Sequence, residues 1–156
     1  MLKLNIPSYK MIEIKNLIFD YNGTLAKDGL VKDITKNKLN KLSEKVNIYV
    51  LTADTFNNAK KNLKDTNVNL HIISKENGTN DKGDFIKELG NKDSIAIGNG
   101  NNDIEMIKNA ELGICILGDE GCSTFTMINS DLVIKNIDDC LNLFINPKRL
   151  IATLRK

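Results

Sequence analysis

Asp20 ends an apolar run, Asn16-Leu17-Ile18-Phe19, and leads straight into a Gly-containing turn, Tyr21-Asn22-Gly23-Thr24-Leu25. A carboxylate carried by a buried strand into a turn is fixed in direction. If a cation screens its charge, it can attack phosphorus, with the amides of Gly23 and Thr24 placed to donate to phosphate oxygens. The plainer reading is a strand-to-turn junction in which Asp20 or Asn22 forms a local side-chain turn. Two further polar clusters follow later apolar runs: Thr52 after Asn47 to Leu51, and Gly98-Asn99-Gly100-Asn101-Asn102-Asp103 after Ser94 to Ile97.

The elements that position these residues can be read from periodicity. Leu2 to Ile14 alternates about Pro7-Ser8, which predicts a β-hairpin. Strands are predicted at Asn16 to Asp20, Asn47 to Leu51, Val68 to Ile73, Ser94 to Ile97, Leu112 to Ile116 and Leu132 to Ile134. Helical spacing recurs at Ile34, Leu39, Leu42 and Val46. Further helices are predicted from an Asp54 or Thr55 cap to about Leu63, over Asp81 to Leu89 ended by Gly90, and over Asn101 to Asn109 with Ile104 and Ile107 inward. Ile137 to Phe144 and Pro147 to Leu154 close the chain. Alternating strand and helix predicts an α/β domain of three layers, Rossmann-like, with a central parallel sheet. In such sheets ligands lie beyond the carboxyl ends of the strands, where Asp20, Thr52 and the 98–103 loop fall.

Read together, these segments resemble the haloacid dehalogenase superfamily, and within it the small soluble P-type ATPase-like proteins. Asp20-Tyr21-Asn22-Gly23-Thr24-Leu25 resembles the first motif, Leu51-Thr52-Ala53-Asp54 the second, Lys82-Gly83 the third and Gly98 to Asp103 the fourth. The resemblance spans about Ile14 to Ile134. It implies a Mg²⁺-dependent phosphohydrolase in which Asp20 forms an aspartyl-phosphate. Asn22 occupies the acid/base position, and Thr52 and Lys82 complete the catalytic set. Phosphate would be held by Gly23, Thr24, Thr52, Ala53 and Lys82, and the metal by Asp20, Asn22, Asn99 and Asp103. Lys87 is the fallback for Lys82. Taken singly, Thr52 also reads as a helix cap and Lys82 as a solvated lysine.

Two positions depart from the family pattern. Asn22 stands where most family phosphatases have an aspartate, and an amide cannot exchange a proton at neutral pH. Asn99 stands where an acidic metal ligand is usual, and it keeps an oxygen but not the charge. The first departure favours substrates whose leaving group departs as a stable anion, such as acyl or aryl phosphates. Both departures also suit a second reading, a non-catalytic or phospho-switch module acting through a protein partner. A receiver-type domain would need an acidic pair near the amino terminus, and Glu13 alone does not make one.

Composition narrows the classes. At 156 residues the chain fits one domain, read as a hairpin extension over 1–14, a core over 15–146 and a closing helix over 147–156. The intervals 20–52 and 52–82 are too short for a large cap domain. A net charge of +2, dispersed lysines and 5% aromatic residues give no case for nucleic acid. No apolar stretch reaches the ~20 residues that span a bilayer. The absence of a signal-type segment, together with three unpaired-looking cysteines and one His, predicts a cytoplasmic protein without a zinc site. The expected partner is a small phosphorylated substrate, with a homo-oligomer closing the open site and the hairpin as one contact.

Overall fold

The computed structural model describes residues 1–54 and 58–156. The chain opens with an antiparallel hairpin, β1 (Leu2–Ile6) and β2 (Lys10–Ile14). It continues as β3 (Asn16–Asp20), α1 (Asp33–Ser43), β4 (Asn47–Thr52), α2 (Asn58–Leu63), β5 (Asn69–Ile72) and α3 (Gly78–Leu89). Then come β6 (Ser94–Gly98), α4 (Ile104–Asn109), β7 (Leu112–Ile116), α5 (Thr124–Ile128), β8 (Leu132–Ile134), α6 (Ile137–Ile145) and α7 (Pro147–Leu154). Strands β3 to β8 form one parallel sheet in the order β5-β4-β3-β6-β7-β8. The chain builds outward from β3 to β5, then crosses to the other side of β3 and builds outward again. The crevice between β3 and β6 is therefore the switch point, and Asp20 and the loop after Gly98 open onto it. This is the α/β, Rossmann-like architecture with a central parallel sheet and no large cap.

Strands β3, β6 and β7 are buried at every position, as expected for central strands covered by helices on both faces. Each buried Leu or Ile contributes about 1.5–3 kcal/mol. That core is what tolerates a buried Asp20 at the end of β3. Between β3 and α1 lie only turns and two isolated bridges, Asn22 to Ala26 and Lys27 to Leu30, so the catalytic crevice stays open to solvent.

The structure departs from the sequence reading at several helices. Helix α1 turns Thr35, Leu39 and Leu42 inward and leaves Ile34 exposed. The Thr35 hydroxyl donates to the Asp138 carboxylate at 3.0 Å, so a small polar residue takes the position that periodicity alone gave to Ile34. In α4, Met106 and Ile107 are buried, while Ile104 is only half-buried. Helix α3 begins at Gly78 rather than Asp81, which sets Lys82 one turn inside it. Helix α5 was not foreseen. The Asp54 carboxylate accepts from the amides of Ala59 and Lys60, capping α2, while Thr55 lies outside the described residues.

The hairpin contributes Leu2, Leu4, Ile6, Ile12 and Ile14 to the main core alongside Phe144 and Leu150, so its apolar face is covered by the chain itself. Met11 and Tyr9 are its exposed apolar side chains. No helix among the described residues is long and apolar enough to cross a membrane.

Candidate active site

Three charged side chains meet at the switch point. Lys82 Nζ donates to Asp20 Oδ1 and to Asp103 Oδ1, each at 2.6 Å. Relative exposures are 1% for Lys82, 0% for Asp103 and 7% for Asp20, so only Asp20 has an open side. Lys87, the fallback, is exposed and pairs with Asp84. With Asp20 ionised, the triad holds two carboxylates against one ammonium. Taking such charges from water costs several kcal/mol each, which is a reason to look for a functional role.

Burial, reinforced by the negative charge of Asp103, pushes the Asp20 carboxyl from its usual 3.8 up to about 7, with Lys82 pulling against both. Burial also works to lower the Lys82 ammonium, but the two carboxylates outweigh it and hold the pKa above its usual value. Lys82 thus stays charged while Asp20 is poised to lose or gain its proton near neutrality.

Asp103, expected as a metal ligand, is bonded at both carboxylate oxygens by the protein itself. Its Oδ2 accepts the amides of Asn99 and Gly100, both at 2.9 Å, while Oδ1 takes Lys82. One oxygen orients Lys82 and the other shapes the 98–103 loop. The carboxylate rests directly on Gly98, where an added Cβ would come within 2.5 Å of it. The bare backbone at the end of β6 therefore admits Asp103.

A cavity of about 600 Å³ opens in front of Asp20, lined also by Tyr21, Asn22, Thr52, Ala53, Asp54, Lys82 and Asn102. Thr52 is buried at the end of β4, and its hydroxyl oxygen accepts the Asp54 amide at 3.2 Å, leaving the hydroxyl proton free to donate. Asn22 is exposed on the cavity wall. The Gly23 and Thr24 amides, expected to bind phosphate, are bonded within the turn. They donate to the carbonyls of Ala26 (2.9 Å) and Tyr21 (3.4 Å), and both residues line a separate cavity of about 490 Å³ behind the turn. The sequence reading also missed Asp28, Asn58, Ser74 and Lys75 on the cavity wall. No motif marks them, since they arrive from two different loops and the start of α2.

Among the described residues, no three His, Cys, Asp or Glu side chains converge at metal-ligand spacing. A soft, zinc-like site does not fit. The oxygen donors near the turn are hard: the Asp20 carboxylate and Asn22 on the cavity wall, and behind them the Asn99 carboxamide oxygen, which accepts the Thr24 hydroxyl at 3.3 Å. That set fits a divalent cation that keeps several waters.

Comparison with known proteins agrees with this geometry. Residues 81–118 match the family model described as haloacid dehalogenase-like hydrolase, a stretch that carries both Lys82 and the 98–103 loop. An uncharacterized protein of Methanocaldococcus jannaschii is 56% identical over 69 residues, covering 44% of this chain and 74% of that protein. The 3-deoxy-D-manno-octulosonate 8-phosphate phosphatase of Moraxella catarrhalis, solved with a magnesium ion, a phosphate ion and its sugar acid, superposes with a TM-score of 0.71. It is 18% identical, covering 91% of this chain and 94% of that one. The cobalt-bound Haemophilus influenzae phosphatase of the same name gives 0.73 at 14% identity, covering 92% and 94%. A parallel sheet with its switch point at β3 and a lysine on α3 reaching the aspartate there agree with these matches: residues 81–118 are similar to haloacid dehalogenase-like hydrolases, and the chain shares its fold with these phosphatases.

Proposed function

We propose that this protein hydrolyses small phosphorylated compounds through an aspartyl-phosphate on Asp20, with Mg²⁺ bound at Asp20, the Asn22 carbonyl and Asn99. The observation that carries the reading is the Asp20–Lys82–Asp103 triad, whose Asp20 and Lys82 line the cavity while Asp103 stays behind them. Bound Mg²⁺ would supply positive charge that offsets repulsion between a carboxylate and an anionic phosphoryl group.

The chain's own residues do the rest. The Thr52 hydroxyl and the Ala53 amide hold phosphoryl oxygens, and the Lys82 ammonium steadies the nucleophile and the charge that develops on transfer. An Asp20 oxygen forms a bond to phosphorus as the bond to the leaving group breaks. Water then attacks the same phosphorus, the Asp20–phosphorus bond breaks, and inorganic phosphate and the free carboxylate are returned.

Asn22 carries no proton to give, so the leaving group departs unassisted. Acyl phosphates, aryl phosphates and phosphoanhydrides should turn over faster than alkyl phosphate monoesters. The phosphatases of similar fold named above support the phosphate-ester class, although their substrate is an alkyl monoester. The second reading, a phospho-switch, is favoured by Asn22 and Asn99 together. It shares the covalent step and differs in not turning over.

The test is phosphate release from acetyl phosphate and nitrophenyl phosphate, with Mg²⁺ and with chelator, for wild type and Asp20→Ala. Turnover that needs Mg²⁺ and vanishes in the variant is expected. Release by Asp20→Ala at the wild-type rate would remove Asp20 from the chemistry.

A further inference from the structure

The segment from Leu117 to Ser123, between β7 and α5, is stitched to the loop that carries Asn99. The Asn99 carboxamide donates to the Gly121 carbonyl at 3.2 Å, and the Ser123 amide donates to the Asn99 carbonyl at 2.8 Å. Glu120 directly precedes this bonded stretch. Gly23 lies beneath these bonds with φ +80°, and a Cβ at Gly23 would stand 2.8 Å from Glu120 Oε2. The same point is 2.6 Å from Asn99 Nδ2 and 3.0 Å from Asn99 Oδ1. The two side chains therefore converge over one bare stretch of backbone, directly after the Asn22 carbonyl assigned to the cation.

Glu120 has no hydrogen bond or ion pair among the described residues, whereas its neighbour Asp119 is taken by Lys27 at 2.6 Å. A carboxylate left unpaired over that backbone adds negative charge beside the neutral Asn99. We propose that Glu120 supplies the cation site with the carboxylate charge that Asn99 lacks, acting through a metal-bound water; the inference rests on the divalent-cation reading above. Water mediation is the part of the proposal that suits a site where no three His, Cys, Asp or Glu side chains converge among the described residues. Mg²⁺ retains several waters, each able to donate to such an outer carboxylate.

The test is Mn²⁺ binding to the purified full chain, followed by electron paramagnetic resonance or calorimetry without substrate. The proteins compared are wild type, Glu120→Gln, Asn99→Asp and the double variant. Loss of an outer-shell partner typically weakens metal affinity about 10–100-fold, and that drop is expected for Glu120→Gln. Its melting temperature in chelator should be unchanged, because Glu120 is exposed and unpaired among the described residues. Asn99→Asp should restore tight binding in the Glu120→Gln background, a rescue that a merely structural role would not give. If Glu120→Gln binds Mn²⁺ as wild type does, the role of Glu120 is wrong while the cation site stands. If neither wild type nor Asn99→Asp binds Mn²⁺, both fall together.

Discussion

Replacing Lys82 by Met is expected to destabilise the fold by about 3–5 kcal/mol, the range for removing one partner of a buried charge network. The loss should exceed that of an ordinary core truncation of similar size, because Asp20 and Asp103 would be left facing each other without a cation. The loss should also depend on pH. Asp20 has a folded pKa raised from 3.8 to about 7, so the folded state holds its proton more tightly than the unfolded chain does. Its contribution to stability is therefore fully present below about pH 4 and falls away as pH rises to about 7. Removing Lys82 raises the folded value further, so the decline continues above pH 7. Urea unfolding at pH 5 and pH 9 checks this. The gap between variant and wild type should widen at pH 9, and a gap equal at both would mean that the three charges are not coupled.

Replacing Asn22 by Asp is expected to raise kcat on alkyl phosphate monoesters by about 10²- to 10⁴-fold, the usual contribution of a positioned general acid. The side chain is exposed on the wall of the cavity that holds Asp20, so a carboxyl there can reach a leaving oxygen without rebuilding the fold. Acetyl phosphate should gain far less at the transfer step, since its leaving group departs as a stable anion. Steady-state kinetics on a sugar phosphate and on acetyl phosphate separate the two effects. An equal gain on both would point to a change in metal binding or hydrolysis of the phosphoenzyme rather than to leaving-group protonation.

The strand framework was legible because it rests on strong local signals. The apolar runs ending in Asp20, Thr52 and Gly98 mark strand ends, and the switch-point rule says where strand ends meet. What the sequence hid depends on three-dimensional competition for the same groups. No local signal shows that Lys82 and two backbone amides bond to the two oxygens of Asp103. Nor does any local signal show that the turn bonds the amides of Gly23 and Thr24. Thr35 takes an inward position ahead of Ile34 because Asp138 waits for its hydroxyl, a contact about 100 residues away along the chain. Glu120 carries no motif at all, and only the stitching of its loop to Asn99 brings it to the turn.

The most direct test is the intact mass of the protein quenched in acid during reaction with acetyl phosphate, followed by peptide mapping of the modified residue. The account predicts a gain of one phosphoryl group on Asp20, requiring a divalent cation, absent from Asp20→Ala and shorter-lived in Asn22→Asp. Turnover with no phosphoryl group ever trapped on Asp20, or the same mass gain in Asp20→Ala, would contradict it.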